Sequence, residues 1–77
     1  MTAQTDMAAR WGNAIRTRRE HLDVTITALA ARLGVSRPTV YDWEAGRAVP
    51  HADRHVHIAA ALEIDPAELF TYPEVAA

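Results

Sequence analysis

Apolar residues recur every three or four positions along most of this chain, the spacing that places side chains on one face of an α-helix. The first such stretch runs from about Asp6 to Glu20, with Met7, Trp11 and Ile15 at helical spacing. Alternation of apolar and polar residues, the signature of a half-buried strand, is absent. The pattern therefore predicts an all-α fold.

Capping residues and glycines divide the middle of the chain into a second and a third helix. Thr25 and Ser36 each offer a hydroxyl that can cap a helix start. The second helix is predicted to stop at Gly34, and the third is predicted to end before Gly46.

Pro50 and Asp65 introduce a fourth and a fifth helix. The fourth follows Pro50 and runs to about Leu62. Its inward face is predicted to hold Val56, Ala59 and Leu62, with Ile58 beside them. The fifth has Asp65 as its cap and Pro66 in its first turn, and Glu68 three residues after the cap predicts a capping box.

The segment between Thr25 and Gly46 has the spacing of a helix-turn-helix. Ala30 is small enough for a second helix to cross close by, and Gly34 can adopt the positive φ that turns the chain sharply. Four apolar side chains then face one another in the angle between the helices: Leu29, Leu33, Val40 and Trp43. This geometry serves chiefly to present the second helix of the pair to the major groove of DNA.

The distribution of charge changes what the net charge alone suggests. A net charge of −2 argues against a nucleic-acid partner. However, all eight basic residues are arginines between positions 10 and 54, whereas four acids and no base follow from Glu63 onward. Residues 1–62 therefore hold eight arginines against six acids, a formal charge of +2. A local basic face is compatible with DNA binding, with a weak salt-driven component.

Length and composition exclude several classes of protein. With 77 residues there is room for one domain, predicted as a compact five-helix bundle over residues 6–71 with flexible tails at 1–5 and 72–77. Cysteine is absent, which excludes disulfides and thiolate metal sites, and no apolar run approaches the ~20 residues of a membrane span. No signal-peptide core is present at the start, so a cytoplasmic protein is expected.

Three histidines prompt a metal hypothesis, which the sequence does not favour. His51 and His55 can share a helix face, but His57 points elsewhere and no carboxylate completes a known motif. A phosphate loop, a nucleophile elbow and a metalloprotease motif are also absent. We therefore expect no metal, no cofactor, no small-molecule ligand and no enzymatic activity.

An ordered set of motifs extends from Ile15 to Phe70. It comprises Ile15 and Arg19, Thr25 with Leu29-Ala30 and Leu33-Gly34-Val35-Ser36, Val40, Trp43-Glu44-x-Gly46-Arg47-x-x-Pro50, Ile58-Ala59-x-x-Leu62 and Leu69-Phe70. In these residues the chain resembles the phage-repressor (Cro/C1-type or XRE-type) helix-turn-helix family. The resemblance implies a five-helix transcriptional regulator whose third helix reads operator DNA, usually as a symmetric dimer. At this length we expect no ligand-sensing module beside that domain.

Residues at the start and on the outer face of the third helix are predicted to reach base edges: Arg37, Pro38, Thr39, Tyr41 and Asp42. Arg37 suits bidentate contact with guanine, Asp42 can accept from a cytosine amine, and Pro38 offers an apolar surface to a thymine methyl. The resemblance places base reading at these same three positions. Phosphate contacts are predicted for Thr25, Ser36 and Arg47, and for Tyr41 if its side chain turns outward.

Other residues have structural interpretations. By the resemblance, Arg19 and Glu44 form an internal salt bridge between the first and third helices, which mainly fixes geometry. Arg16 and Arg18 are interpreted as part of a solvated face rather than as phosphate ligands. A dimer contact is expected from the fifth helix and the tail, at Leu69, Phe70, Tyr72 and Val75.

Two positions depart from the family pattern. Ile26 stands where a glutamine commonly contacts the DNA backbone, and an aliphatic side chain cannot donate to phosphate. His55 stands where a core leucine is usual, which predicts a looser core or an interface there. Ile26, the acidic Asp42 and the negative net charge favour an alternative function, a protein-interaction module or antitoxin-type partner that keeps the fold.

Overall fold

Five α-helices and one 3₁₀ turn make up the part of the chain that the structure describes. The structure is a computed structural model, which describes the backbone of residues 3–71 and the side chains of residues 6–71. In chain order the helices are α1 (Ala3–His21), α2 (Ile26–Leu33), α3 (Arg37–Glu44), α4 (His55–Ala61) and α5 (Pro66–Leu69), with the 3₁₀ turn at Ala52–Arg54. Residues 3–71 contain no strand, so the predicted all-α, five-helix architecture is confirmed.

Side-chain caps begin three of the helices. The hydroxyl oxygen of Thr25 accepts from the backbone N–H of Ala28 at 3.0 Å, and that of Ser36 accepts from Thr39 at 3.3 Å. The Asp65 carboxylate accepts from the N–H of Ala67 at 2.8 Å. These bonds satisfy N–H groups that have no partner inside a helix. The reciprocal half of the capping box at α5 is not formed within residues 3–71, because no bond joins Glu68 to the Asp65 N–H.

Four residues in the left-handed region end the first four helices: Asp23, Gly34, Gly46 and Glu63, with φ of 56°, 67°, 74° and 56°. At α2 the N–H of Val35 donates to the carbonyl of Ala30 at 3.0 Å, across the turn that Gly34 makes. The other three ends have the same six-to-one bond, which is the Schellman arrangement. The positive φ predicted for Gly34 is confirmed.

The core contains residues from all five helices. Its buried members are Trp11, Ile15, Leu29, Ala30, Val40, Trp43, Ile58, Ala59, Leu62, Leu69 and Phe70. Helix α1 crosses the end of α3 at Gly12, where an added Cβ would lie 2.9 Å from the carbonyl oxygen of Glu44 and closer still to that of Trp43. The absence of a side chain at Gly12 therefore sets the distance between these two helices.

The register of α4 differs from the prediction at Val56. Val56 is 62% exposed, whereas Ile58 and Leu62 are fully buried. Because successive residues of a helix are about 100° apart, a side chain two positions before Ile58 points away from the core. A 3₁₀ turn separates Pro50 from α4, so the helix proper begins at His55.

Helix α1 also departs from the prediction, in its start and in one side chain. It begins at Ala3 rather than at Asp6. Arg18 is not part of a solvated face, because its guanidinium donates to the backbone carbonyls of Leu62 and Glu63, both at 2.9 Å. A cation at the C-terminal end of a helix is favourable, since the last carbonyls there lack partners. Arg18 therefore ties α1 to the end of α4.

His55, where the sequence predicts a looser core or an interface, packs against two aromatic side chains at the edge of the core. Its ring stacks on Phe70 with a centroid distance of 3.8 Å and meets Trp11 edge-on at 4.9 Å. Its Nε2 lies 3.1 Å from the carbonyl oxygen of Pro50, at hydrogen-bonding distance. The indole N–H of Trp11 donates to the carbonyl of Thr71 at 2.6 Å. The half-buried imidazole thus packs against the edge of the core at the position where a leucine is usual.

The expected dimer contact on α5 is wrong for the two residues that the structure describes. Leu69 is 1% exposed and Phe70 is 4% exposed, so both side chains are used inside the domain. Tyr72 and Val75 lie outside the described residues. The flexibility predicted for residues 1–5 and 72–77 stays a prediction.

Candidate nucleic-acid interface

The outer face of α3 presents three exposed side chains, those of the neighbouring residues Arg37 and Pro38 and that of Tyr41 about one turn further along the helix. Val40 and Trp43 point the other way and are buried, which fixes the rotation of the helix about its axis. The guanidinium of Arg37 has no carboxylate partner among residues 6–71, so all of its donors are available to a ligand. Pro38 stands in the first turn of α3, where its missing N–H costs no hydrogen bond.

Ser36 and Thr39 are bound to each other at the start of α3. Their hydroxyl oxygens are 2.9 Å apart, and Ser36 also caps the backbone N–H of Thr39. Thr39 is half-buried, whereas Arg37 and Pro38, which precede it in the same turn, are exposed. The pair shares one hydroxyl proton, which leaves the other proton free for an acceptor beyond the helix end.

Asp42 and Arg47, predicted to contact bases and phosphates respectively, form an ion pair. The Nε of Arg47 lies 3.1 Å from Oδ1 of Asp42, and the side chains are 67% and 46% exposed. The backbone N–H of Arg47 also donates to the Asp42 carbonyl at 2.9 Å, so the turn at Gly46 holds the two residues together. An exposed pair of this kind is weak, and water or DNA can compete for either partner.

Thr25 is the N-cap residue of α2. Its hydroxyl oxygen is engaged in capping, while the hydroxyl proton remains able to donate. The first N–H groups of α2 point out of the N-terminal end of the helix, next to this hydroxyl, an arrangement that suits a phosphate. Thr25 is exposed, as a phosphate contact requires.

Beneath this surface, Arg19 and Glu44 join α1 to α3. The contacts are bidentate, at 2.7 Å and 3.1 Å, and Arg19 also donates to the carbonyl of Val24 at 2.9 Å. The two side chains are only 11% and 7% exposed. The hydrogen bond that the Arg19 guanidinium donates to the Glu44 carboxylate raises the pKa of Arg19, so the guanidinium stays charged. This pair fixes the end of α3 against α1.

The histidines take separate positions. His51 and His57 are exposed, whereas the ring of His55 stacks on Phe70 at the edge of the core. Within the described residues, no group of three histidine, cysteine or carboxylate side chains is arranged to hold a metal ion. None of the described helices is both long enough and apolar enough to cross a membrane.

Sequence reasoning located α3 and its outward residues but missed two features of this surface. One is the Asp42–Arg47 pair, because the five-residue separation crosses a helix end whose turn geometry depends on Gly46. The other is a cleft between α1, α2 and α3, which brings Arg16 beside Tyr41. No local signal in the sequence links positions 16 and 41, since they are distant along the chain.

A known protein family and a solved structure share this architecture. A family model described as a helix-turn-helix domain matches residues 11–70. Among solved structures, the chain is similar to the P22 c2 repressor, in a crystal structure of its complex with synthetic operator 9T in the presence of Tl⁺. The two are 30% identical with a TM-score of 0.74, over 79% of this chain and 92% of that chain. Comparison with curated proteins gives no match.

Proposed function

The chain belongs to the helix-turn-helix domain family, in its phage-repressor type, and on that premise we propose that it is a sequence-specific transcriptional regulator. It reads double-stranded operator DNA in the major groove through α3. The observation that supports this most directly is the unpartnered, exposed face formed by Arg37, Pro38 and Tyr41 on a helix whose other face is locked into the core. The similar P22 c2 repressor was solved with an operator.

Each surface residue has a proposed role that follows from its chemistry. Arg37 donates to a guanine edge, Pro38 packs on a thymine methyl, and Asp42 accepts from a cytosine amine. Thr25, Ser36 and Arg47 hold phosphates on either side of the groove. Thr39 and Tyr41, on the same helix, add contacts to base edges. The protein acts by binding alone, without catalysis, and two copies occupy one operator.

Selection of bound sequences from a random DNA pool tests this function. We expect enrichment of one motif, with two half-sites about one helical turn apart, as for paired recognition helices. Mobility shifts at two salt concentrations should show specific binding whose log affinity falls with log salt. Equal and poor binding of random and selected DNA at low salt would overturn the proposal, and would favour a protein partner for this surface instead.

Substitution of Arg37 separates base reading from phosphate binding. Arg37→Ala should cost about 1–3 kcal/mol on the selected operator and relax the preference at one base position. Arg47→Ala should weaken binding to all sequences alike, because a phosphate contact is blind to sequence. The measurement is affinity for the operator and for each single-base variant. If both substitutions weaken every site equally, Arg37 contacts a phosphate rather than a base.

A further inference from the structure

A cleft of about 280 Å³ lies between α1, the start of α2 and the second half of α3. Its walls are Arg16, Arg19, Ile26, Tyr41, Glu44 and Ala45. Ile26 forms an apolar side of the cleft and packs partly against the core. The cleft adjoins both parts of the candidate interface, because Ile26 follows Thr25 directly and Tyr41 is one helical turn beyond Arg37.

Among the described residues that line this cleft, Arg16 is a cation with no acidic partner. Arg19 and Glu44 neutralise each other in a pair that is almost buried. Arg16 is exposed, and its guanidinium makes a single long contact, 3.5 Å from the neutral Asn13 amide oxygen. No carboxylate pairs with Arg16 among residues 6–71. The cleft therefore has a net positive charge and contains donors that its own walls do not use.

Tyr41 supplies a second unused donor at the same place. Its side chain is 54% exposed, which is unusual for a large aromatic residue, and its hydroxyl has no hydrogen-bond partner within the described residues. A phenol and a guanidinium around an apolar wall suit a deoxyribose-phosphate unit, since the sugar packs on the apolar side and the phosphate oxygens accept from the donors.

We infer that this cleft binds one backbone phosphate of the operator, with Arg16 as the cation and Tyr41 as the hydroxyl donor. The inference rests on the proposed function and adds a phosphate contact on α1 to those at Thr25, Ser36 and Arg47. Ile26 cannot donate to phosphate, and the two donors beside it perform that task. Tyr41 then acts on the backbone rather than on a base edge.

The salt dependence of operator binding tests the inference, with Arg10 as the matched control. Arg10 is exposed on α1 like Arg16 but does not line the cleft. Arg16→Ala should weaken binding roughly tenfold on every sequence and lower the slope of log affinity against log salt by about 0.9, the value for one phosphate contact. Arg10→Ala should change neither quantity appreciably, and Arg16→Lys should restore the slope.

Tyr41→Phe probes the second donor. It should weaken binding several-fold with the slope and the base preference unchanged, because the hydroxyl is uncharged. Equal melting temperatures for the four variants establish that each is folded. If Arg16→Ala and Arg10→Ala behave alike while the wild type still selects an operator, the inference is wrong and the proposed function stands. If the wild type binds no DNA, both are wrong.

Discussion

Single residues decide the geometry of this surface where helices approach most closely. Gly12 is the clearest case, because α1 passes so near the end of α3 that a side chain at this position would meet the carbonyl oxygens of Trp43 and Glu44. The same crossing places Arg19 within reach of Glu44. The orientation of α3 on DNA therefore depends on a residue that contacts no ligand.

Gly12→Ala should reverse the usual effect of this substitution on helix stability. Inside an exposed helix, alanine is more favourable than glycine by about 1 kcal/mol. Here the added methyl group overpacks a backbone contact, and we expect a loss of about 1–3 kcal/mol in the free energy of unfolding. Urea denaturation measures it, with Asn13→Ala as an exposed neighbour that should change little. A stabilised Gly12→Ala protein would show that the helices can separate without cost.

At the scale of elements, the starts of α2, α3 and α5 follow from local chemistry, as do the two helix ends that are made by glycine, those of α2 and α3. A hydroxyl or carboxylate cap acts on an N–H two or three residues away, so Thr25, Ser36 and Asp65 are recognisable in the sequence. The left-handed residues at the ends of α1 and α4 are less apparent, because Asp23 and Glu63 are not glycines. Contacts between distant segments, such as Arg18 with the end of α4, have no local signal at all.

Glu63→Gly should stabilise the protein. Glutamate at a φ of 56° is in a region that costs a residue with a Cβ roughly 1–2 kcal/mol, whereas glycine adopts it freely at some cost in unfolded-state entropy. We expect a net gain of about 0.5–1 kcal/mol, seen as a melting temperature higher by roughly 4 °C. The carbonyl that accepts from Arg18 is kept.

Glu68→Gly is the matched control for charge. It removes the same carboxylate charge from an exposed position inside α5, where glycine should destabilise the helix by about 1 kcal/mol. If both glycine substitutions lower the melting temperature, the strain at Glu63 is not the dominant contribution at that position.

At the scale of the whole molecule, the fold and the identity of the reading helix could be predicted from the sequence, whereas the pairing of surface side chains could not. Helical periodicity and caps locate α3, and its buried residues Val40 and Trp43 dictate which face is outward. The partner of Arg18 depends on how α1 packs against the end of α4, and that of Asp42 depends on the turn at Gly46, and periodicity encodes neither. Burial of Leu69 and Phe70 likewise depends on the ring cluster around His55.

The few exposed hydrophobic side chains also bear on whether two copies of the chain form a dimer. Only two large hydrophobic side chains are exposed among the described residues, Tyr41 and Val56, and Tyr41 belongs to the proposed DNA surface. A stable protein interface usually buries at least about 1,200 Å² with an apolar centre. We therefore expect sedimentation to give the mass of one 77-residue chain without DNA and of two chains on a selected operator. A stable dimer without DNA would assign the contact to other residues.

The buried tryptophans described in the core make the protein its own optical reporter. The chain has two, Trp11 against Phe70 and Trp43 on the hidden side of α3. Both indoles are shielded from water, so their emission shifts to the red only when the surrounding helices separate. A variant that keeps only Trp11 reports separation of the helices around α5. A variant that keeps only Trp43 reports loosening of the packing behind α3. The order in which the domain comes apart is thereby readable from fluorescence without any added label.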